Sequence, residues 1–202
     1  MTIEYLMEYK DNMEKLAAQL SAEDIDFLVK LLNEKDNDIR YAAFQALQKR
    51  SEISGDLYSY WDSFAARLSS ENSYQRSIGI MMLAENVRWD KDGRFNGIFE
   101  EYMTHCQDEK FITSRQTIQS IRKWLPYQRE LVPQIIQMLS AISIEELAST
   151  QKKLILVDII NVFLDIQKAE PHDEITDYIL KALSGGLLDK KTSKSIQQAL
   201  NL

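Results

Sequence analysis

Of 202 residues only one is cysteine, three are proline and six are glycine, and each scarcity closes off a class of protein. Cys106 has no second cysteine to pair with, which points to a reducing compartment and a cytoplasmic protein. So few glycines and prolines leave little material for the turns of an all-β chain, while Leu, Ile, Ala, Glu, Lys and Gln are plentiful. The expected fold class is all-α. Positive charge is also short, with 24 Lys and Arg against 31 Asp and Glu, a net charge of −7 and a pI near 5.0. Nucleic-acid binders draw affinity from bases that neutralise phosphates, so nucleic acid is not the expected partner. The most apolar stretch, LILVDIINVFL at 154–164, is interrupted by Asp158 and Asn161 and falls well short of the ~20 residues that span a bilayer. No membrane association is expected. The opening MTIEYLMEYKDNMEKLAAQL carries charges throughout and has no apolar signal-peptide segment; it reads as one amphipathic helix over 2–20.

What the sequence does contain is a repeat. LLNEKDNDIRYAAFQAL begins at 31, and 36 residues later the chain reads RLSSENSYQRSIGIMML. Setting Arg40 on Arg76 brings Leu32 onto Leu68, Ala43 onto Gly79, Phe44 onto Ile80 and Leu47 onto Leu83. A further 38 residues on, CQDEKFITSRQTIQSI fits the same frame, with Ser114 in the Arg place, Thr117 in the small place, then Ile118 and Ile121. Each period holds two apolar-periodic segments around a polar turn, which is the pattern of stacked helix pairs. The leading segments show helical spacing at Phe27, Leu28, Leu31 and Leu32; at Trp61, Phe64 and Leu68; and at Phe99, Met103 and Cys106. The spacing continues through Leu131, Ile135 and Leu139, then Ile175, Ile179 and Leu183. Five pairs are expected over 21–53, 54–90, 91–128, 129–168 and 169–202, all within a single domain of 1–202. Within the fourth, the register of 143–166 stays open.

LLNEKDNDIR resembles the turn of a HEAT repeat: a leucine pair, an acid (Glu34, where Asp is usual), a short polar stretch, and an aliphatic–Arg step opening the second helix. DEKFITSRQTIQSIRKWLPYQRELVPQIIQML is similar to a group of small bacterial HEAT/armadillo-like proteins. The resemblance implies a right-handed α-α superhelix with an N-terminal helix in front, and a scaffold that many functions can occupy. Arg40 and Arg76 could line a phosphate-binding groove, but the resemblance implies instead that the Arg pairs with an acid at the turn, with Glu34 as the candidate for Arg40; Ser70 and Ser114 depart from that pattern. Some HEAT-like proteins are DNA glycosylases. That architecture supplies the alternative function, nucleic-acid binding or repair, and no catalytic residue is carried over.

The residues themselves suggest no catalytic group, cofactor site or metal site. His105 and Cys106 are adjacent, and helix neighbours point ~100° apart rather than converging; they read as a core cysteine beside a surface histidine. Trp61, Trp89 and Trp124 could stack on bases, but they are scattered over different helices and read as packing residues. The candidate partner-binding surface lies on the second helices, where helical geometry groups Tyr41, Phe44, Gln45 and Gln48, then Ile80 and Met81, then Arg115, Ile118, Gln119 and Arg122. Phe44, Ile80 and Ile118 form a row that reads either as the seam between stacked helices or as a concave groove for a partner protein. In the fourth pair, Gln151, Asp158, Asn161 and Asp165 form one polar stripe. It either pairs with Arg115 and Arg122 or binds a basic segment, since a buried unpaired carboxylate is costly. The expected function is a monomeric, non-catalytic protein-interaction scaffold.

Overall fold

A computed structural model describes residues 1–200; the last two residues of the fifth expected pair, 201 and 202, lie outside the described residues. Among these the secondary structure is entirely helical, and no helix is long and apolar enough to cross a membrane. The chain forms two compact units, residues 1–102 and the residues from Met103 onward.

The first unit contains α1 (Ile3–Glu8), α2 (Met13–Gln19), α3 (Ala22–Leu31), α4 (Asn37–Ile53), α5 (Trp61–Ala65) and α6 (Ser73–Asn86); it ends within α7 (Phe99–Thr104). The single N-terminal helix expected over 2–20 is two helices. Asn12 interrupts it, because its side-chain oxygen accepts from the Lys15 N–H at 3.4 Å and starts α2, a competition with the helix ladder to which Asn is prone. Both α1 and α2 then pack on α4. Ser21 and Asp24 close a reciprocal capping box at the start of α3.

Helices α4 and α6 begin alike. Asp36 caps α4 through the N–H groups of Asp38 and Ile39, and Asn72, 36 residues later, caps α6 through that of Tyr74. Each helix then carries an arginine that reaches back six residues: Arg40 donates to the Glu34 carbonyl at 2.7 Å, and Arg76 to the Ser70 carbonyl at 2.8 Å. The acceptor is backbone, not the Glu34 carboxylate that the resemblance implied. Any side chain can therefore stand at the acceptor position, which explains how Ser70 replaces Glu34 without loss of the contact.

The two helices run parallel. Gln48 donates to Glu85 and, further along both helices, Asn86 donates to the Ser51 hydroxyl, so partners on both rise together along the chain. Gly79 sets how closely α5 approaches α6. A Cβ there would lie 2.8 Å from both the Phe64 carbonyl oxygen and the Arg67 Cβ. Alanine favours helix over glycine by ~1 kcal/mol, yet here the clash falls on backbone. Gly79→Ala is expected to lower stability by about 1–3 kcal/mol in urea unfolding.

The second unit contains α8 (Phe111–Trp124), α9 (Val132–Ser140), α10 (Ser149–Ala169), α11 (Asp173–Ser184) and α12 (Lys190–Ala199). Ser114, in the Arg place, donates to the Cys106 carbonyl at 2.6 Å, so a turn carbonyl is still held, by a shorter side chain. Helix α10 answers the open register of 143–166: a short 3-10 turn at Ile144–Glu146 precedes it and the helix starts at Ser149. It packs on α8, α9 and α11.

Candidate functional site

Helix α4 is enclosed by α1, α2, α3 and α6, and this decides the fate of the apolar row. Phe44 is 5 % exposed and Ile80 is fully buried in the first unit; Ile118 is fully buried in the second. Their apolar area already belongs to the helix packing. A helix packed on one face has a broad free side, but one enclosed by four neighbours keeps only a strip.

On α4 that strip runs through Tyr41, Gln45 and Gln48, spaced four and three residues apart; on α6 it runs through Tyr74 and Met81. Tyr41 is 60 % exposed and Tyr74 is 65 % exposed. Neither ring hangs free. Tyr41 stacks on Phe44 with centroids 6.3 Å apart. The Arg40 guanidinium, held by the Glu34 carbonyl and Asn37, sits 5.4 Å from the centre of the Tyr74 ring. Gln45 and Met81, on the same two strips, are half-buried. Gln48 has another task, because its amide donates at 3.1 Å to Glu85, a carboxylate only 1 % exposed, which Arg88 also reaches at 3.4 Å.

Tyr74 is the residue that the sequence reading missed. The signal was present: under the 36-residue offset Tyr74 occupies the place of Asp38, a position on the exposed first turn of the second helix. An aromatic replacing an acid there is not a core substitution.

In the second unit the three candidate polar residues of α8 turn toward α10. Arg115 grips Asp158 with two nitrogens, at 2.6 and 3.1 Å, and Gln119 donates to the same carboxylate at 2.9 Å. Arg122 meets Asp165 at 2.5 Å. Both ion pairs join residues 43 apart, so α8 and α10 are parallel and in a fixed register. Of the two readings of the Asp158–Asp165 stripe, the structural one describes these contacts. The hydrogen bond to Asp158 holds the Arg115 guanidinium even more firmly protonated than usual.

The remaining candidates lie in the packing. Trp61 and Trp124 are buried, and Trp89 donates its indole N–H to the Ser51 carbonyl at 2.8 Å. Cys106 is buried and burial pushes its thiol up, which leaves it a poor nucleophile. His105 is not the surface residue expected. Its side chain is 12 % exposed, with Nδ1 3.0 Å from Asp108. No three His, Cys, Asp or Glu side chains among the described residues are grouped to hold a metal ion. No protein-family model matches the chain, and no curated protein shows significant similarity to it.

Proposed function

We propose that this protein is a non-catalytic interaction scaffold of the HEAT/armadillo-like kind, an α-α superhelix of helix pairs, and that it receives a partner protein on the exposed strips of α4 and α6. The repeated Asp36/Asn72 caps, the repeated six-residue Arg-to-carbonyl reach and the parallel second helices support the repeat reading. The observation that carries the binding site is the pair of exposed, pre-positioned tyrosines. Tyrosine supplies a large amphipathic contact at low entropic cost, because only two torsions have to be fixed. Here Phe44 and Arg40 already restrict both rings. Aromatic and Arg side chains dominate interface hot spots; Arg40 and Tyr74 form one such pair, and Tyr41 is a second exposed aromatic, on α4, with Met81 and Gln45 as adaptable half-buried residues of the same strips.

The test is site-specific photo-crosslinking. A benzophenone amino acid placed at Tyr41 or Tyr74 should yield the same adduct in the native lysate, while placement at Ile53, which is equally exposed, should not. If position 53 yields the same adduct, or if positions 41 and 74 yield none, the assignment fails.

A further inference from the structure

Between α9 and α11, in the second unit, lies a groove of about 960 Å³. Its walls differ in chemistry. The apolar part is made by Pro133 and Ile136 from α9 and by Pro171 and Tyr178 on the other side. Tyr178 is fixed by an edge-on contact with Phe163, centroids 5.1 Å apart, and burial pushes its hydroxyl up to about 12, so it stays a neutral donor. Along the α11 rim stand Asp173, Glu174 and Asp177, with Lys181 as the one base lining the groove. None of the three carboxylates makes an ion pair with another described residue. His172, also in the lining, presents an enclosed Nε2 that lacks a hydrogen-bond partner among the described residues.

This acidity is local. The first unit holds 19 acids and 12 bases, so the whole net charge of −7 resides there, whereas the second holds 12 of each. In that neutral unit most basic side chains near acids are already matched, as Arg115, Arg122, Lys152 and Lys153 are. The three α11 carboxylates stay unmatched while lining one groove.

The geometry points to this groove as a docking site for a basic, apolar protein segment, with a Lys or Arg set against Asp173, Glu174 and Asp177 and a neighbouring apolar side chain over Tyr178 and the two prolines. Charge complementarity selects the occupant. A cation entering here meets three carboxylates, with the unpartnered His172 Nε2 in the same lining, whereas an acidic or phosphorylated segment would face repulsion from Asp173, Glu174 and Asp177. The apolar patch then separates a peptide from a small cation, because a bare ion cannot use it. This site lies on a different unit from the tyrosine pair and stands or falls independently of the function proposed above.

The test uses the full chain and two fluorescein-labelled twelve-residue peptides of alternating residues, Leu with Lys and Leu with Glu, read by fluorescence anisotropy at physiological salt. The Lys peptide should bind and the Glu peptide should not. Asp173→Asn with Asp177→Asn should weaken the Lys peptide about five- to tenfold. Because Asp173 also sits in the first turn of α11, where an acid complements the helix dipole, a second variant avoids that position: Ser140→Lys, on the opposite rim, should weaken binding comparably without changing the melting temperature. Glu4→Gln with Glu8→Gln, in the acidic first unit, should leave the affinity unchanged. Equal loss from the Glu4/Glu8 pair would mean attraction to net charge alone and would overturn the assignment. So would equal binding of both peptides, or unchanged affinity in the α11 and Ser140 variants.

Discussion

Phe44→Ala should destabilise the protein by about 3–5 kcal/mol, as truncation of a large buried aromatic does. The ring is 5 % exposed on a helix enclosed by α1, α2, α3 and α6, so the vacated space cannot collapse from one free side. Leu47→Ala, one turn along and fully buried, should cost about 2–5 kcal/mol by the same mechanism. Tyr41→Ala is the informative contrast. It removes a side chain that is mostly in solvent, and the expected change is within about 0.5 kcal/mol. Urea unfolding of the three variants separates a packing row from a binding row: the row belongs to the core if Phe44→Ala behaves like Leu47→Ala, and to a groove if it behaves like Tyr41→Ala.

The second large effect is at the α8–α10 register. Arg115→Ala leaves Asp158, whose side chain is 5 % exposed, with Gln119 as its remaining neutral donor among the contacts described. An uncompensated buried charge typically costs 3–5 kcal/mol, and since Arg115 is itself a quarter exposed the expected loss is about 2–4 kcal/mol. Asp158→Ala should cost less, because Arg115 can turn to water. Replacing the pair together, as Arg115→Met with Asp158→Leu, should recover most of the stability, since a buried ion pair often gains little over apolar residues of similar size. Arg122→Ala, at the exposed end of the same seam, should change stability by no more than about 1 kcal/mol. A cycle in which Arg115 and Asp158 act additively would contradict the register role.

The helical class and the matched starts of α4 and α6 were legible because their determinants are local. Caps at Asp36 and Asn72, the small positions Ala43 and Gly79, and the apolar spacing of α3 to α6 all act within one turn or one helix pair, and a 36-residue offset exposes them directly. Parallel pairing of α10 with α8 was also within reach, because four polar residues on one stripe of an otherwise apolar helix had to meet donors, and Arg115 and Arg122 recur at the spacing of Asp158 and Asp165. What could not be read was the number of neighbours around α4. Helical geometry divides Tyr41, Phe44, Gln45 and Gln48 from Ala43 and Ala46, but it cannot say that α1 and α2 close over the helix and bury Phe44 while leaving Tyr41 outside. Nor could the acceptor of Arg40 be read, since a backbone carbonyl leaves no mark on the side-chain sequence. Asn12 carries a cap signal in its residue type alone, and apolar residues on both sides of it, Leu6, Met13 and Leu16, hide the break from periodicity.

If partner binding resides in the exposed tyrosines of α4 and α6, removal of either ring weakens it. The most direct measurement is a calorimetric titration of the protein captured from positions 41 and 74, comparing the unaltered chain with Tyr41→Ala and Tyr74→Ala at matched melting temperatures. Each substitution should weaken binding by about 2 kcal/mol, roughly thirtyfold, as loss of a hot-spot side chain does. Affinity unchanged in both variants, with the fold intact, would contradict it.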